Sequence, residues 1–452
     1  MHLQRRLLVI SFAMILTISA GAASVDLGGT FFNLTGVGNS SGAAAVPGNS
    51  PGLVQEDVLK GWVQAAFSDS LSLNVQVDGT FNTAPVLPFN TLLLYANADL
   101  LNLHGSYQLN GALRQLQFTV GRLVLSDFTT RVLSHEADGV LLGLEFSGIS
   151  VNVAAGYTGL VTKGASTIEL SKSDLNDYTN TGVNFASPRV IELVQATVLA
   201  LPGQRIAVSA IAQQDLRGTP LDLADGSAES LVSDGSTTEE PAEGGRVNTQ
   251  YVGLGMSGNV VGNLYYDVFS YLESGQMLSY QSGSYQDILF FAALAGGGVR
   301  IFLPGASSSV IGVRVLYASG DPNAGTVVEG QSQGFSVFTP ISRPTLDNVF
   351  SPQLSNLIVA EASYSLKPLS KLQTGLQADA YFRPTTGAIS EPGLAPGSTS
   401  SYLGSEMDLS INYSPLSDVG SSLWGGLFVP GTAFASGAGV QFKTGLNVMI
   451  NF

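Results

Sequence analysis

The chain has 452 residues, of which 12% are charged and 44% apolar, with 53 Gly, no Cys and a formal net charge of −15. Soluble domains average roughly 25% charge, disordered chains combine high charge with few apolar residues, and nucleic-acid binding needs clustered Lys and Arg, so all three classes fit poorly. The lack of Cys excludes disulfides, thiolate metal sites, Cys nucleophiles and a lipid-carrying cysteine.

At the N-terminus His2, Arg5 and Arg6 precede the apolar run LLVISFAMILTISA (7–20) and the small residues AGAAS (20–24). This order predicts a secretory signal over residues 1–23 and a mature chain over 24–452. Beyond it no stretch reaches the ~18 apolar residues that a spanning helix needs.

From residue 24 onward, alternation of period two replaces helical periodicity. LSLNVQVDG (71–79) sets Leu71, Leu73, Val75 and Val77 against Ser72, Asn74, Gln76 and Asp78. KLQTGLQADAYFR (371–383) and YLGSEMDLSINY (402–413) follow the same rule. Strands are predicted at 24–37, 56–68, 70–82, 92–109, 114–125, 137–147, 149–161, 190–201, 204–216, 246–259, 262–273, 287–303, 307–319, 356–366, 371–383, 402–414, 419–429 and 438–452, eighteen in all. Connections after even-numbered strands are tight, for example PGQ (202–204) and SPLSD (414–418). Those after odd-numbered strands are longer, such as 162–189, 217–245, 274–286 and 320–355. Strict alternation of short and long connections is the pattern of a transmembrane antiparallel up-and-down β-barrel, an all-β fold. A closed sheet satisfies every backbone polar group without an edge, which hydrocarbon demands. At eighteen strands, side chains cannot fill the interior, which stays aqueous unless a loop or plug enters it. The aromatics Trp62, Phe67, Tyr95, Tyr157, Tyr413 and Trp424 lie near strand ends, where interface girdles are expected.

The charges assigned to the inner wall are the candidate functional residues. These are Lys60, Asp78, Arg122, Glu145, Arg205, Arg314, Glu361, Asp379, Arg383, Glu406, Asp408 and Lys443. Opposed charges at a constriction make a transverse field that sets solute selectivity. Arg122 enters this set only through a bulge at Gly121, because strict alternation groups it with Phe118 and Val120. The acidic stretch 217–245 lacks the spacing of a calcium loop. AGGGVR (295–300) lacks the Lys-Ser/Thr of a phosphate loop and marks a bend or a close approach. The mature chain offers only His104 and His135, with a Ser and acids around His135 in SHEAD (134–138) but no nucleophile elbow, so no enzyme is expected. Neither a cofactor nor a metal is expected. At the C-terminus TGLNVMINF (444–452) alternates to its final residue. Leu446, Val448, Ile450 and Phe452 face lipid on this reading, form the closing strand and resemble the assembly signal read by the outer-membrane insertion machinery.

Two stretches resemble the alginate-export type of outer-membrane porin. In 403–434 the resemblance rests on Gly404, Glu406, Asp408, Leu409, Phe428, Pro430 and Gly431. In 118–146 it rests on Gly121, Arg122, Arg131, Asp138, Gly139 and Val140. The resemblance implies an eighteen-stranded barrel with a strongly basic lumen for an acidic polysaccharide. Here the inward charges are mixed in sign, which departs from that pattern. The expectation is therefore a barrel integral to the bacterial cell outer membrane, passing small hydrophilic solutes, saccharides among them, by diffusion or export. Its partners would be the bilayer, lipopolysaccharide or another outer-leaflet lipid, the insertion machinery and the solute, with no nucleic acid. The alternatives are a plugged transporter of hydrophobic substrates, with 36–52 as the plug, and a surface adhesin on a barrel scaffold.

Overall fold

A computed structural model describes residues 24–39, 52–83, 92–171, 174, 177–178, 180, 182–217, 246–281, 284–305, 307–322, 336–391 and 393–452. The expected signal (1–23), the expected plug (except for Gly36–Asn39 and Gly52) and nearly all of the acidic stretch 217–245 lie outside the described residues.

The strands, in chain order, are β1 Ser24–Gly38, β2 Gly52–Ser68, β3 Leu71–Thr83, β4 Leu92–Gln108, β5 Leu113–Ser126, β6 Ser134–Phe146, β7 Ile149–Tyr157, β8 Arg189–Leu201 and β9 Gln204–Asp215. The second half adds β10 Val247–Val261, β11 Leu264–Gln281, β12 Ser284–Leu303, β13 Ser309–Ala318, β14 Leu357–Leu369, β15 Leu372–Phe382, β16 Tyr402–Leu416, β17 Val419–Pro430 and β18 Gln441–Asn451. Each strand pairs antiparallel with its sequence neighbours. β18 then pairs with β1 from Thr30↔Asn451 to Gly38↔Lys443, which closes an eighteen-stranded barrel. The main departure from the predicted strands is at 274–286, expected as a long connection. There β11 and β12 continue as one long hairpin, with Gln281 opposite Ser284.

Alternation decides which face each side chain takes. Leu59, Val120, Val252, Leu272, Phe291 and Met407 are exposed on the outer face. Leu125, Ile191, Tyr271, Phe290, Leu294 and Phe428 are buried on the inner one. Phe452 continues the outward row of Leu446 and Ile450. Its backbone exchanges hydrogen bonds with Gly29 at 2.8 and 3.0 Å. Its ring covers Gly29, where a Cβ would lie 2.6 Å from the ring.

Rings lie over glycines elsewhere too. A Cβ would sit 2.6 Å from Trp62 at Gly28, 2.7 Å from Trp424 at Gly445 and 2.2 Å from Phe290 at Gly275. In each case ring and glycine are direct cross-strand partners. Trp62 and Trp424 thus point into the barrel and do not belong to an outer girdle. Phe67 and Tyr413 are outward and exposed.

Three of the long connections turn inward. Val132 and Leu133 from β5–β6, Ile168 and Leu170 from β7–β8, and Phe338, Ile341, Phe350 and Leu354 from β13–β14 join the inward wall residues in one apolar cluster. Phe350 stacks on Phe428 at 4.3 Å and meets Tyr381 edge-on at 4.9 Å. Backbone hydrogen bonds knit these connections together, Ser342 to Val132 at 3.1 Å and Arg343 to Thr167 at 3.0 Å. Beneath these connections the interior is therefore a packed core, and any open passage must run past it.

Candidate functional site

Cross-strand register carries the interior charges around the wall in two rows. The first runs Arg205, Ser257, Asp267, Gly298, Arg314, Glu361, Asp379, Glu406, Phe428, each residue opposite the next. The second runs Arg300, Gly312, Ser363, Gln377, Asp408, Gly426, Lys443. On the β9–β13 side the small residues Ser257, Gly298 and Gly312 stand beside the charges, so the guanidinium groups there can reach inward. Gly296 and Gly298 belong to the glycine-rich stretch of β12. A Cβ at Gly296 would be 2.6 Å from the Phe269 ring and one at Gly298 3.5 Å from Arg314, so this stretch marks a close approach.

The signs are segregated. A cavity of about 260 Å³ is lined by Arg131, Arg205, Arg300 and Arg314, with Asp267 among them. A second, of about 370 Å³, is lined by Asp347, Asp408, Gln377, Asn348 and the same Arg300. Arg314 bridges the two sides through an ion pair with Glu361 at 3.2 Å. Burial, with the neighbouring Arg314, holds Arg131 below the usual guanidinium value.

Carboxylates of the wall also anchor the β13–β14 connection. Glu406 accepts the N–H groups of Val349 and Phe350 at 2.8 and 2.7 Å. Glu273 accepts Thr339 N–H at 2.9 Å. Asp347 accepts the Tyr381 hydroxyl and the Gln377 amide, the latter at 2.6 Å. Burial first, then Asp408 and Glu361, push Asp347 up to about 6 against the pull of the Tyr381 hydroxyl and Arg131.

Lys60 and Asp78 face each other across β2 and β3, and Glu145 accepts the Ser150 hydroxyl at 2.7 Å near a tight turn. Two residues need correction. Arg122 faces outward: register is unbroken at Gly121↔Gly139, so no bulge turns it, and it shares its face with exposed Val120 and Val124. There it binds Asp138 through two hydrogen bonds of 3.1 and 2.7 Å and donates to the Leu160 carbonyl at 2.9 Å. Arg383 is inside but only 3% exposed. Its guanidinium donates to the carbonyls of Ser398, Ser400, Thr386 and Gly387, fastening the β15–β16 connection instead of meeting solute. Glu406, 2% exposed, likewise faces the packed loop. In the SHEAD stretch His135 is inward and buried while Ser134 and Asp138 take the opposite face, so these neighbours form no unit.

Sequence reasoning left Arg131, Arg300 and Asp347 out of the interior set. Parity along β12, where Phe290, Ala292 and Leu294 are buried, would have placed Arg300 inside. Arg131 and Asp347 lie on connections and carry no periodic signal.

The family described as alginate export matches residues 234–444. The barrel also resembles solved structures in overall fold. Acinetobacter baumannii OccAB2 aligns at 11% identity and TM-score 0.56, over 96% of this chain and 98% of that one. Pseudomonas aeruginosa OccK9 (OpdG) aligns at 11% identity and TM-score 0.54, over 96% and 99%. The outer membrane protein opdK of Pseudomonas aeruginosa aligns at 12% identity and TM-score 0.50, over 94% and 99%. These likenesses establish the closed antiparallel barrel. No curated protein matches the chain.

Proposed function

We propose that this barrel is integral to the bacterial outer membrane and passes small hydrophilic solutes, saccharides among them, by diffusion or export. The observation that carries the reading is the segregated interior, with Arg131, Arg205, Arg300 and Arg314 on one side and carboxylates on the other, meeting at Arg300. Charges of opposite sign facing across a narrow, low-dielectric passage orient dipolar solutes and set ion preference. The mixed signs argue against an acidic polymer as cargo. On this reading the segment before residue 24 is removed on export, the outward apolar band meets acyl chains and lipopolysaccharide, and the insertion machinery recognises Leu446, Val448, Ile450 and Phe452.

The apolar packing of the inward loops favours one second reading, a plugged transporter. Planar-bilayer recording of the refolded chain separates the two. Defined conductance steps, with a reversal potential that moves toward cation preference in Arg314→Glu, support the channel. A silent barrel, or a selectivity indifferent to Arg314→Glu and Arg300→Glu, refutes it.

A further inference from the structure

Three carboxylates meet where the β13–β14 connection docks on the wall. Asp347 comes from the connection, Asp379 from β15 and Asp408 from β16, and one oxygen from each lies within 4.8 Å of the other two. They are 8, 4 and 7% exposed. Buried carboxylates are unfavourable unless a counter-charge or a full set of donors balances them. The donors here are neutral: the Tyr381 hydroxyl, the Gln377 amide and the Asn348 amide. The ion pairs of this wall are made by other acids, Glu361 with Arg314 and Glu391 with Arg343.

A second observation is independent of that proximity. Asp379 gives Oδ2 to the Gln377 amide at 3.0 Å, yet its Oδ1 is enclosed and has no hydrogen-bond partner among the described residues. An orphaned buried carboxylate oxygen keeps its whole desolvation penalty. We propose that Asp347, Asp379 and Asp408 hold one divalent cation of the calcium class, which ties the inward loop to the barrel wall. The donor chemistry selects the class, since the set is all oxygen and hard. The geometry agrees, because ligands at about 2.4 Å from one ion lie no more than ~4.8 Å apart. The cavity of about 370 Å³ beside Asp347 and Asp408 gives an entry path and room for water ligands.

Binding does not depend on conduction, so the test stands apart from the channel reading. The full chain, refolded in detergent and treated with chelator, is titrated at pH 7.5 with terbium(III), whose luminescence is sensitised by Tyr381 beside the site, and then with calcium as competitor. The expected result is one saturable site per chain, displaced by calcium. It weakens at least tenfold in Asp379→Asn and in Asp408→Asn and is unchanged in Asp418→Asn on a tight turn. Heat-shifted gel mobility checks that each variant is folded. Calorimetric titration of the unmodified chain with calcium gives stoichiometry even if a variant fails to fold. No calcium uptake by the unmodified chain would mean that the carboxylates share protons, and the proposal fails. Uptake untouched by both variants locates the ion elsewhere and also overturns it.

Discussion

Replacing Arg189 with Met tests what fastens the β7–β8 connection. Arg189 begins β8 and is completely buried. Its guanidinium contacts Asp174 at 2.8 Å and Asp215 at 3.0 Å. Arg217 closes the group with contacts of 2.9 Å to Asp174 and 2.5 Å to Asp215. Two buried carboxylates thus share two guanidinium groups, and Arg217 also reaches the more exposed Asp177 at 3.4 Å. Removing one cation leaves two buried carboxylates with one partner, and breaking a buried pair in this way costs about 3–5 kcal/mol. Met matches the aliphatic length, so cavity formation adds little. Denaturant unfolding of the refolded barrel, together with protease protection of 158–188, measures the loss. Asp174→Asn in the Arg189→Met background should recover part of it, because the surplus negative charge is gone. A loss below about 1 kcal/mol, or a double variant no better than the single, would refute the buried-charge account.

Three further outcomes follow from the same geometry. Burial alone would raise Asp174, but Arg189 and Arg217 outweigh it and hold the group below its ordinary value of 3.8. A depressed carboxylate stabilises above its unfolded value and loses that contribution as pH falls through the folded one. Protease protection of 158–188 should therefore persist at neutral pH and fail below about pH 3.8; failure near pH 6 would point to another group. Deleting Phe452 should lower the yield of heat-modifiable, inserted barrel while leaving unit conductance unchanged in the molecules that do insert. Gly139→Ala puts a Cβ 2.0 Å from the Ala155 carbonyl. It should cost about 1–3 kcal/mol in denaturant unfolding, and a neutral result would mean that β6 and β7 can separate there freely.

Much of the wall was legible because an apolar outer face and a different interior impose a period of two. The strands at 71–83, 372–382 and 402–416 carry it plainly. The hairpin of β11 and β12 ran past the predicted ends because Ser274, Gln276, Ser279 and Gln281 resemble loop composition, while backbone pairing needs no apolar side chains. What filled the interior was not legible. Phe338, Ile341, Phe350 and Leu354 follow no period, since an inward loop is shaped to the cavity it meets. Parity placed Arg383 on the correct face but could not reveal that four loop carbonyls take up its guanidinium. The three clustered carboxylates were invisible for the same reason: Asp347 reaches Asp379 and Asp408 only through the docked loop.

Rings seated over glycines have a consequence for how pairing errors are rejected. A one-residue slip between strands turns a whole face over and is caught by hydrophobicity. A two-residue slip preserves the faces and escapes that check. Trp62 displaced by two from Gly28 would meet Asp26 or Thr30, and Phe290 displaced from Gly275 would meet Glu273 or Met277. In each case a flat ring that now lies on bare backbone would collide with a side chain. Each ring-and-glycine pair is thus a key cut for a single notch, letting a barrel built from repetitive strands discard the misalignment that its own repetition would otherwise permit.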